Sequence, residues 1–191
     1  NLGNKDLKWE TTKQFNVGLD FSLLKDKIQV ISDFYVKNTS DLLYEKQVPY
    51  TTGYSTSWTN IGLIRNTGFE LTVNTHNIDK KDFTWDTDII FSTNRTKVID
   101  LGGEILNIGT DTRAEEGKTW GTYYIYHLLG TWGLDEVAEA ARYGCKPGDK
   151  KYEDRDNNGI INDNDKVYYG TGTPKGEISM TNTFNYKGFS L

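Results

Sequence analysis

The stretch that most constrains the fold is residues 14–36, QFNVGLDFSLLKDKIQVISDFYV, where apolar and polar residues alternate in two runs joined by a short charged turn. Alternation with a period of two places the apolar side chains of a strand on one face, and it therefore predicts a β-hairpin. In the first run this face carries Phe15, Val17, Leu19, Phe21 and Leu23. The alternation leaves open whether the face packs in a protein core or contacts lipid.

The same alternation returns later in the chain. We predict strands at 13–23, 28–37, 68–77, 83–97 and 176–186. The acidic residues near the strand centres all fall on the polar face; they are Asp20, Asp33, Glu70, Asp86 and Asp88. A charge on the lipid side at mid-bilayer would cost roughly 2–4 kcal/mol for a basic residue, and somewhat less for an acidic one. A soluble sheet would also keep charges off its apolar face, so this placement suits both readings.

The connections between these strands are of two kinds. Tight turns are predicted at 24–27, 79–82 and 187–188, whereas the connections at 38–66 and 98–175 are long. Outer-membrane barrels combine short periplasmic turns, long extracellular loops and strands of ~9–11 residues. A soluble sandwich turns more evenly, at intervals of about 8–12 residues. The pattern therefore favours a membrane barrel.

The long 98–175 connection contains the one predicted helix, at about 135–143. Asp135 suits the N-cap and Gly144 the C′ position. Val137, Ala138 and Ala141 would form its narrow apolar stripe. The predicted fold class is thus all-β, with antiparallel up-and-down strands forming part of a transmembrane β-barrel, long extracellular loops and one short helix.

Composition argues against several other classes of protein. The 191 residues carry a net charge of −5, so no basic stripe is present and nucleic-acid binding is not expected. Cys145 is the only cysteine, which excludes an internal disulfide and a cysteine-based zinc site. No stretch approaches the ~20 apolar residues of a membrane helix. A barrel whose strands cross the membrane stays possible, because the alternating residues of such strands are polar on average.

Several short motifs resemble the barrel segment of SusC/RagA-type TonB-dependent transporters. They occur in family order over essentially the whole chain: LKWETTKQFNVGLD at 7–20, SDLL at 40–43, TTGYS at 51–55, NIG at 60–62, NTGFE at 66–70, PGD at 147–149 and NYKGF at 185–189. Each motif is short, and their common order makes the combined resemblance specific.

The resemblance implies an outer-membrane protein of about 22 strands with an N-terminal plug. Such proteins import glycans, and in some cases peptides, with energy delivered by TonB through the plug. A SusD-like surface lipoprotein covers the extracellular mouth, and outer-membrane lipid surrounds the barrel. On this basis residues 1–191 are expected to be a partial barrel, without the plug, the N-terminal strands or the closing strand. Open strand edges cannot face lipid, so this segment is not expected to close a barrel by itself.

The sharpest local signal is the acidic stretch 154–165, DRDNNGIINDND. It fits the twelve-residue calcium-loop template, in which oxygen atoms surround the ion and a glycine makes the sharp turn. The predicted ligands of a structural Ca²⁺ are Asp154, Asp156, Asn158, Ile160 (through its carbonyl), Asn162 and Asp165. Asp165 departs from the template, where Glu is usual, and the flanks do not look helical. A solvated acidic turn around Asn158-Gly159 is the alternative.

Aromatic side chains in the long connections are candidate substrate contacts, because their flat apolar faces stack on sugar rings. The candidates are Trp58, Trp120, Tyr123, Tyr124 and Trp132, with Tyr126 beside them. Packing within the loops is the alternative role.

No catalytic machinery is predicted. His76 and His127 lie far apart in sequence, and no Gly-x-Ser-x-Gly elbow or phosphate-binding loop is present. Asp86 and Asp88 resemble paired glycosidase carboxylates, but a water-filled lumen explains them equally well. Two alternatives to the importer are a soluble secreted β-domain that binds carbohydrate, with or without calcium, and a purely structural surface-layer module.

Overall fold

The computed structural model describes residues 3–191, which divide into two compact units. The first unit comprises residues 3–104, 115–119 and 173–191, and the second comprises residues 105–114 and 120–172. Among the described residues, none of the helices has both the length and the apolar character needed to cross a membrane.

Residues 3–191 form twelve strands and one α-helix. The strands are β1 (Thr11–Leu23), β2 (Ile28–Gln47), β3 (Thr56–Lys80), β4 (Phe83–Asp100), β5 (Leu106–Asn107), β6 (Thr112–Ala114), β7 (Thr122–Tyr126), β8 (Leu128–Thr131), β9 (Lys150–Tyr152), β10 (Lys166–Thr171), β11 (Glu177–Tyr186) and β12 (Phe189–Ser190). The helix is α1 (Val137–Arg142), and short 3₁₀ turns occupy Tyr50–Thr52 and Asp163–Asp165.

The first unit is one antiparallel sheet of six strands in the order β1-β2-β3-β4-β11-β12. All five predicted strands are confirmed. Tight turns join β1 to β2 at 24–27 and β11 to β12 at 187–188, as predicted, and the turn predicted at 79–82 is shorter, at 81–82, because β3 continues to Lys80. Within residues 3–191 this sheet is open, because β1 and β12 do not pair with each other.

Strand register places the predicted apolar residues in continuous rows on one face. One such row contains Val30, Val73, Ile89 and Met180. These side chains are not sealed beneath a second sheet, since Met180 is 64% exposed and Phe15 63%. The soluble alternative requires a second sheet stacked on this face, and the described residues of the first unit form only the one six-stranded sheet.

Two isoleucines, Ile31 and Ile90, depart from the strict alternation of their strands and lie in one row of the opposite face. Ile31 pairs with Thr72, and Thr72 pairs with Ile90. The polar face therefore carries one local apolar patch, to which two separate strands contribute.

The prediction of a long loop at 38–66 is wrong. β2 and β3 continue to pair from Asn38–Arg65 to Gln47–Thr56, so only residues 48–55 connect them. Alternation fades after residue 37 because neither face has to be apolar there, although backbone pairing continues. Side chains reinforce this pairing: Arg65 Nε donates to Asn38 Oδ1 at 2.9 Å, and Thr56 Oγ1 donates to Glu45 Oε1 at 2.8 Å.

Motif residues of the chain hold this extended hairpin together. Asp41 interrupts the β2–β3 pairing opposite Gly62 without changing the register, and both residues have a positive φ, of 56° and 74°. The Asn60 amide nitrogen donates to the carbonyls of Asp41 and Lys8 at 2.7 and 2.8 Å, while its oxygen accepts from Lys8 N at 2.7 Å. Glu10 Oε1 accepts from Leu43 N at 2.8 Å. The segment before β1 is thereby tied to β2 and β3.

Most of the 98–175 connection belongs to the second unit and is folded rather than an irregular loop. It contains one sheet in the order β10-β7-β6-β5 and a separate hairpin of β8 and β9. The predicted helix is confirmed at Val137–Arg142, with Gly144 following its C-cap at φ of 70°. The N-cap is Glu136 rather than Asp135. The predicted apolar stripe is also wrong: Ala140 is buried, whereas Val137, Ala138 and Ala141 are exposed.

Candidate functional site: the acidic loop and the aromatic surface

The acidic loop lies in the second unit, between β9 and β10. Asn157 and Gly159 adopt left-handed backbone conformations, with φ of 55° and 81°, and they turn the loop back on itself. This turn brings Asp154, Asp156 and Asp165 together, with one carboxylate oxygen of each lying within 4.8 Å of the others. Residues eleven positions apart in sequence thus converge on one point, as the calcium-loop template requires.

Asp154, the first residue of the template, is held from three sides. Its Oδ2 accepts from Gly159 N at 2.8 Å and from the Tyr143 hydroxyl at 3.1 Å, and its Oδ1 accepts from Asn158 N at 3.2 Å. Desolvation disfavours the carboxylate, but these hydrogen bonds together outweigh it and hold the pKa of Asp154 below its ordinary value of 3.8. The side chain is therefore ionised at neutral pH.

Asp165, the last residue of the template, closes the loop. It is fully buried, and its two carboxylate oxygens accept from Arg155 N and Asn162 N, both at 2.8 Å. The Asn162 side chain caps the 3₁₀ turn by accepting from Asn164 N at 2.9 Å. Asp165 therefore fastens the two ends of the loop to each other through backbone donors.

The remaining predicted ligands bond within the loop. Asn158 Oδ1 accepts from Ile160 N at 2.7 Å, and the Asn158 amide donates to Asp156 Oδ2 at 3.0 Å. The Ile160 carbonyl accepts from Asn162 Nδ2 at 3.4 Å. The loop is thus a compact set of oxygen donors, the chemistry that hard cations such as Ca²⁺ prefer.

One face of the β10-β7-β6-β5 sheet carries an alternating set of aromatic and basic side chains. The Arg113 guanidinium lies 3.8 Å from the ring centroid of Tyr124, whose ring is 5.0 Å from that of Tyr168. Lys166 Nζ lies 5.2 Å from the Tyr126 ring and 2.8 Å from Asp163 Oδ1. Hydrogen bonding and charge attraction from Asp163 raise the pKa of Lys166. Lys166 is therefore a cation at neutral pH.

Trp132, one of the predicted substrate contacts, belongs to the packing of the second unit. It is 5% exposed, stacks on Tyr143 at 5.7 Å and has Lys151 Nζ 4.4 Å from its ring. Lys151 also bonds Glu136 at 2.5 Å, which raises the lysine pKa. Tyr143 and Lys151 therefore cover the indole of Trp132, and Lys151 is itself held by Glu136.

The other candidate aromatics are more open, and they do not all belong to one unit. Trp58 is 40% exposed in β3 of the first unit, whereas Tyr123 is 37% exposed in β7 of the second. Trp120 is half-buried. Tyr124 is half-buried, and its hydroxyl donates to the Asp163 carbonyl at 3.1 Å.

Sequence reasoning missed Arg113, Lys166 and Tyr168 as members of the aromatic surface. β6, which holds Arg113, has three residues, too few to show any periodicity. Only the register of Tyr168 with Tyr124 shows that the two side chains share a face.

The polar face of the six-stranded sheet holds a histidine–carboxylate pair near the 81–82 turn. His76 Nδ1 lies 2.6 Å from Asp86 Oδ1, as expected for a histidine on that face. The pair borders a cavity of about 280 Å³ together with Ile78, Asp79 and Thr84. His127 pairs with Glu153 at 3.0 Å in the other unit.

Comparison with known proteins agrees with this architecture. A family model described as "TonB dependent receptor-like, beta-barrel" matches residues 1–191. The chain is 32% identical to TonB-dependent receptor P3 of Formosa agariphila, and the alignment covers 100% of this chain and 20% of that protein. It is 31% identical to TonB-dependent receptor SusC of Bacteroides thetaiotaomicron, over 98% of the chain and 19% of that protein. The chain therefore spans about a fifth of the length of these relatives.

A solved structure shares the fold. The RagAB peptide importer in its "open-open" state superposes with a TM-score of 0.76 and 24% identity, over 98% of this chain and 20% of that one. The six-stranded sheet, with one apolar and one polar face, has the architecture of part of an outer-membrane-type β-barrel. The chain belongs to the TonB-dependent receptor β-barrel family and is similar to the barrel portion of its SusC/RagA-type members. This is a family of transporters, not of enzymes.

Proposed function

We propose that this chain forms part of the wall and extracellular loops of an outer-membrane importer of oligosaccharides. The observation that carries the proposal is the separation of the sheet into an exposed apolar face and a polar face in a chain of this family. In a barrel, the first face meets lipid and the second lines a water-filled lumen. Peptides are the second candidate substrate class, because the RagAB neighbour is a peptide importer.

The same proposal implies an energy source for import and a partner protein. TonB acts through a plug contributed by other parts of the full-length protein, and a SusD-like lipoprotein covers the extracellular mouth. The relatives named above support this assignment through family membership.

The function is tested by deleting the full-length gene and measuring uptake of labelled oligosaccharides and labelled peptides by whole cells. We expect the protein in the outer-membrane fraction and a loss of oligosaccharide uptake that the restored gene reverses. Loss of peptide uptake alone would transfer the proposal to peptides. A protein found only in soluble fractions would contradict it.

Exposed aromatic side chains are proposed to contact the substrate. Removing the ring of Tyr123 or Trp58 by substitution with Ala should weaken oligosaccharide binding by about 3–10-fold, the range expected for the loss of one stacked ring. Tyr169→Ala is the control, because Tyr169 is 63% exposed but lies outside the candidate set. Titration calorimetry on the purified full-length protein measures the affinities. Equal affinities for the wild type and all three variants would remove the aromatics from the proposal.

We also propose that the acidic loop binds Ca²⁺ as a structural ion. Support comes from the three converging carboxylates, the surrounding oxygen atoms and the ionised state of Asp154. Asp156→Asn replaces an exposed charged ligand with a neutral one, and it should weaken calcium binding at least tenfold because a hard cation prefers a charged oxygen. Asp163→Asn is the matched control: it makes the same charge change in the same loop, at a residue that is not a predicted ligand.

Calorimetry with calcium alone as the titrant compares the two variants in the full-length protein. Weaker uptake in Asp156→Asn only would support the site. No uptake at millimolar calcium by the wild type, or equal loss in both variants, would contradict it.

A further inference from the structure

The apolar face of the six-stranded sheet ends in basic residues at the end away from the tight turns. Arg65 of β3 and Lys97 of β4 pair directly across the two strands. Arg95 lies on the same face, two residues before Lys97 and diagonal to Arg65. All three side chains are exposed. We call Arg65, Arg95 and Lys97 the cationic cluster.

The pairing within the cationic cluster is unfavourable by itself. Residues directly opposite each other in antiparallel strands have Cβ atoms about 4.5–5.5 Å apart, and like charges at that distance repel. Within the described strands, the two rows of this face that hold the cluster contain no acidic residue: they are Lys13, Asn38, Arg65 and Lys97, and Phe15, Val36, Thr67 and Arg95. None of the three cations forms an ion pair within residues 3–191.

This chain itself flanks the cluster on both sides. Asn38 of β2 pairs with Arg65, and Thr119 pairs with Lys97. The repulsion between Arg65 and Lys97 therefore arises inside the sheet and not at one of its edges.

Two carboxylates adjoin the cluster in sequence, and backbone amides hold both of them. Asp100 Oδ1 accepts from Gly102 N, and Glu116 Oε1 accepts from Leu101 N and Gly103 N, all at 2.8 Å. These carboxylates are thus committed to the loop after β4, and they do not neutralise the cluster.

A hydrogen bond orients the guanidinium of Arg65. Its Nε donates to Asn38 Oδ1 at 2.9 Å, which fixes one of its five N–H groups. The other four are on the terminal nitrogens, whose planar fork matches two oxygens of a phosphate group. Arg65 is therefore oriented for an oxyanion, and Lys97 supplies a second positive charge beside it.

The cluster lies just beyond the part of the face that is apolar. Arg65 is four residues from Phe69, and Arg95 is four residues from Phe91. This spacing is ~13 Å along the strand and ~10 Å along the membrane normal at a tilt of about 40°. When the two phenylalanines lie at the hydrocarbon boundary, both backbone positions lie a few ångströms outside an interfacial layer of roughly 5–8 Å. Long basic side chains span that difference, and their charges reach the outer edge of the layer, where lipid phosphates lie.

The position of the tight turns identifies the leaflet. Barrels of this type have their short turns on the periplasmic side, so the opposite end of the sheet lies in the outer leaflet. The outer leaflet of an outer membrane consists of phosphorylated glycolipid, which carries phosphate on its sugar headgroup directly above the acyl chains. An apolar face bordered by three cations matches the acyl chains and the phosphate of one such molecule.

We propose that the cationic cluster binds a phosphate group of the outer-leaflet glycolipid. The terminal nitrogens of Arg65 donate to two phosphate oxygens, and Lys97 and Arg95 contact the same group. The bound phosphate also relieves the repulsion between Arg65 and Lys97. This inference rests on the membrane orientation in the proposed function.

The test uses the purified full-length protein in detergent, titrated with monophosphoryl lipid A and followed by native mass spectrometry. Arg65→Gln and Lys97→Gln should each weaken binding about fivefold, the change expected for one cation beside an anionic headgroup. Lys37→Gln is the matched control: it makes the same charge change one residue before Asn38, on the polar face, where Lys37 pairs with Asn66. With lipid A whose phosphate has been removed, the wild type and all three variants should bind equally.

A photo-crosslinking residue at position 67, between Phe69 and Arg65 on the same face, identifies the occupant directly. Capture of the glycolipid in whole cells supports the inference, whereas capture of another protein overturns it. Equal binding of monophosphoryl lipid A by the wild type and Arg65→Gln, or an equal loss in Lys37→Gln, also overturns it. If the wild type fractionates with the outer membrane, such a failure leaves the proposed function standing; if it does not, the proposed function and this inference fail together.

Discussion

Val73→Arg is expected to block assembly of the full-length protein into the outer membrane. Val73 lies at the centre of the apolar row formed with Val30, Ile89 and Met180. An arginine facing lipid at mid-bilayer costs roughly 2–4 kcal/mol, a large fraction of the stability of a typical domain. The measurement is the amount of folded protein in the outer-membrane fraction, read from heat-modifiable migration on gels.

The matched control for this substitution is Asn74→Arg, one residue further along β3. Asn74 lies on the polar face and pairs with Asp88, so an arginine there meets water and a carboxylate. We expect near-normal assembly of this variant. Equal loss in both variants would show that bulk or charge matters on either face, which contradicts the assignment of the two faces.

Gly62→Ala is expected to destabilise the extended β2–β3 hairpin by roughly 2–5 kcal/mol. Gly62 has φ of 74°, where a side chain costs about 1–2 kcal/mol. A Cβ would also overlap the backbone oxygen of Asp100 and lie 2.8 Å from Leu101 Cδ2, and such overpacking typically costs about 1–3 kcal/mol. Because Leu101 is fully buried and Asp100 O belongs to the backbone, neither can easily move away. Hydrogen exchange at the β3–β4 amides of the full-length protein measures the change.

Gly53→Ala separates backbone strain from steric overlap. Gly53 has nearly the same conformation, with φ of 77°, but no atom lies within 4 Å of a Cβ added there. We expect a loss of only about 1 kcal/mol. If both variants lose the same amount, the close approach of Gly62 to Asp100 has no energetic role.

Alternation predicted the parts of the strands in which one face has to be apolar and the other polar. Val17, Phe34 and Phe69 share a face in the sequence pattern and pair across β1, β2 and β3 in the structure. Beyond residue 37 that demand ends, so the outer halves of β2 and β3 carry no periodic signal. Asn60 and Gly62 hold this region, but their roles depend on Lys8, Asp41 and Asp100, which are distant in sequence.

The acidic loop could be predicted because its residues are local and follow a known spacing. What the spacing did not reveal is the burial of Asp165 and its two backbone donors. Similarly, an aromatic residue looks the same in sequence whether it is open, as Tyr123 is, or covered, as Trp132 is by Tyr143 and Lys151. Burial of that kind is set by tertiary contacts.

Contact between the apolar face and hydrocarbon is tested most directly by spin labels placed one at a time at positions 69–74 of β3, in a full-length protein whose Cys145 is replaced by Ser. Collision with oxygen reports lipid, and collision with a water-soluble nickel complex reports water. We predict high oxygen accessibility at 69, 71 and 73, and high nickel accessibility at 70, 72 and 74. Labels at 69, 71 and 73 that are shielded from both reagents would contradict the account, because those side chains would then lie in a protein core.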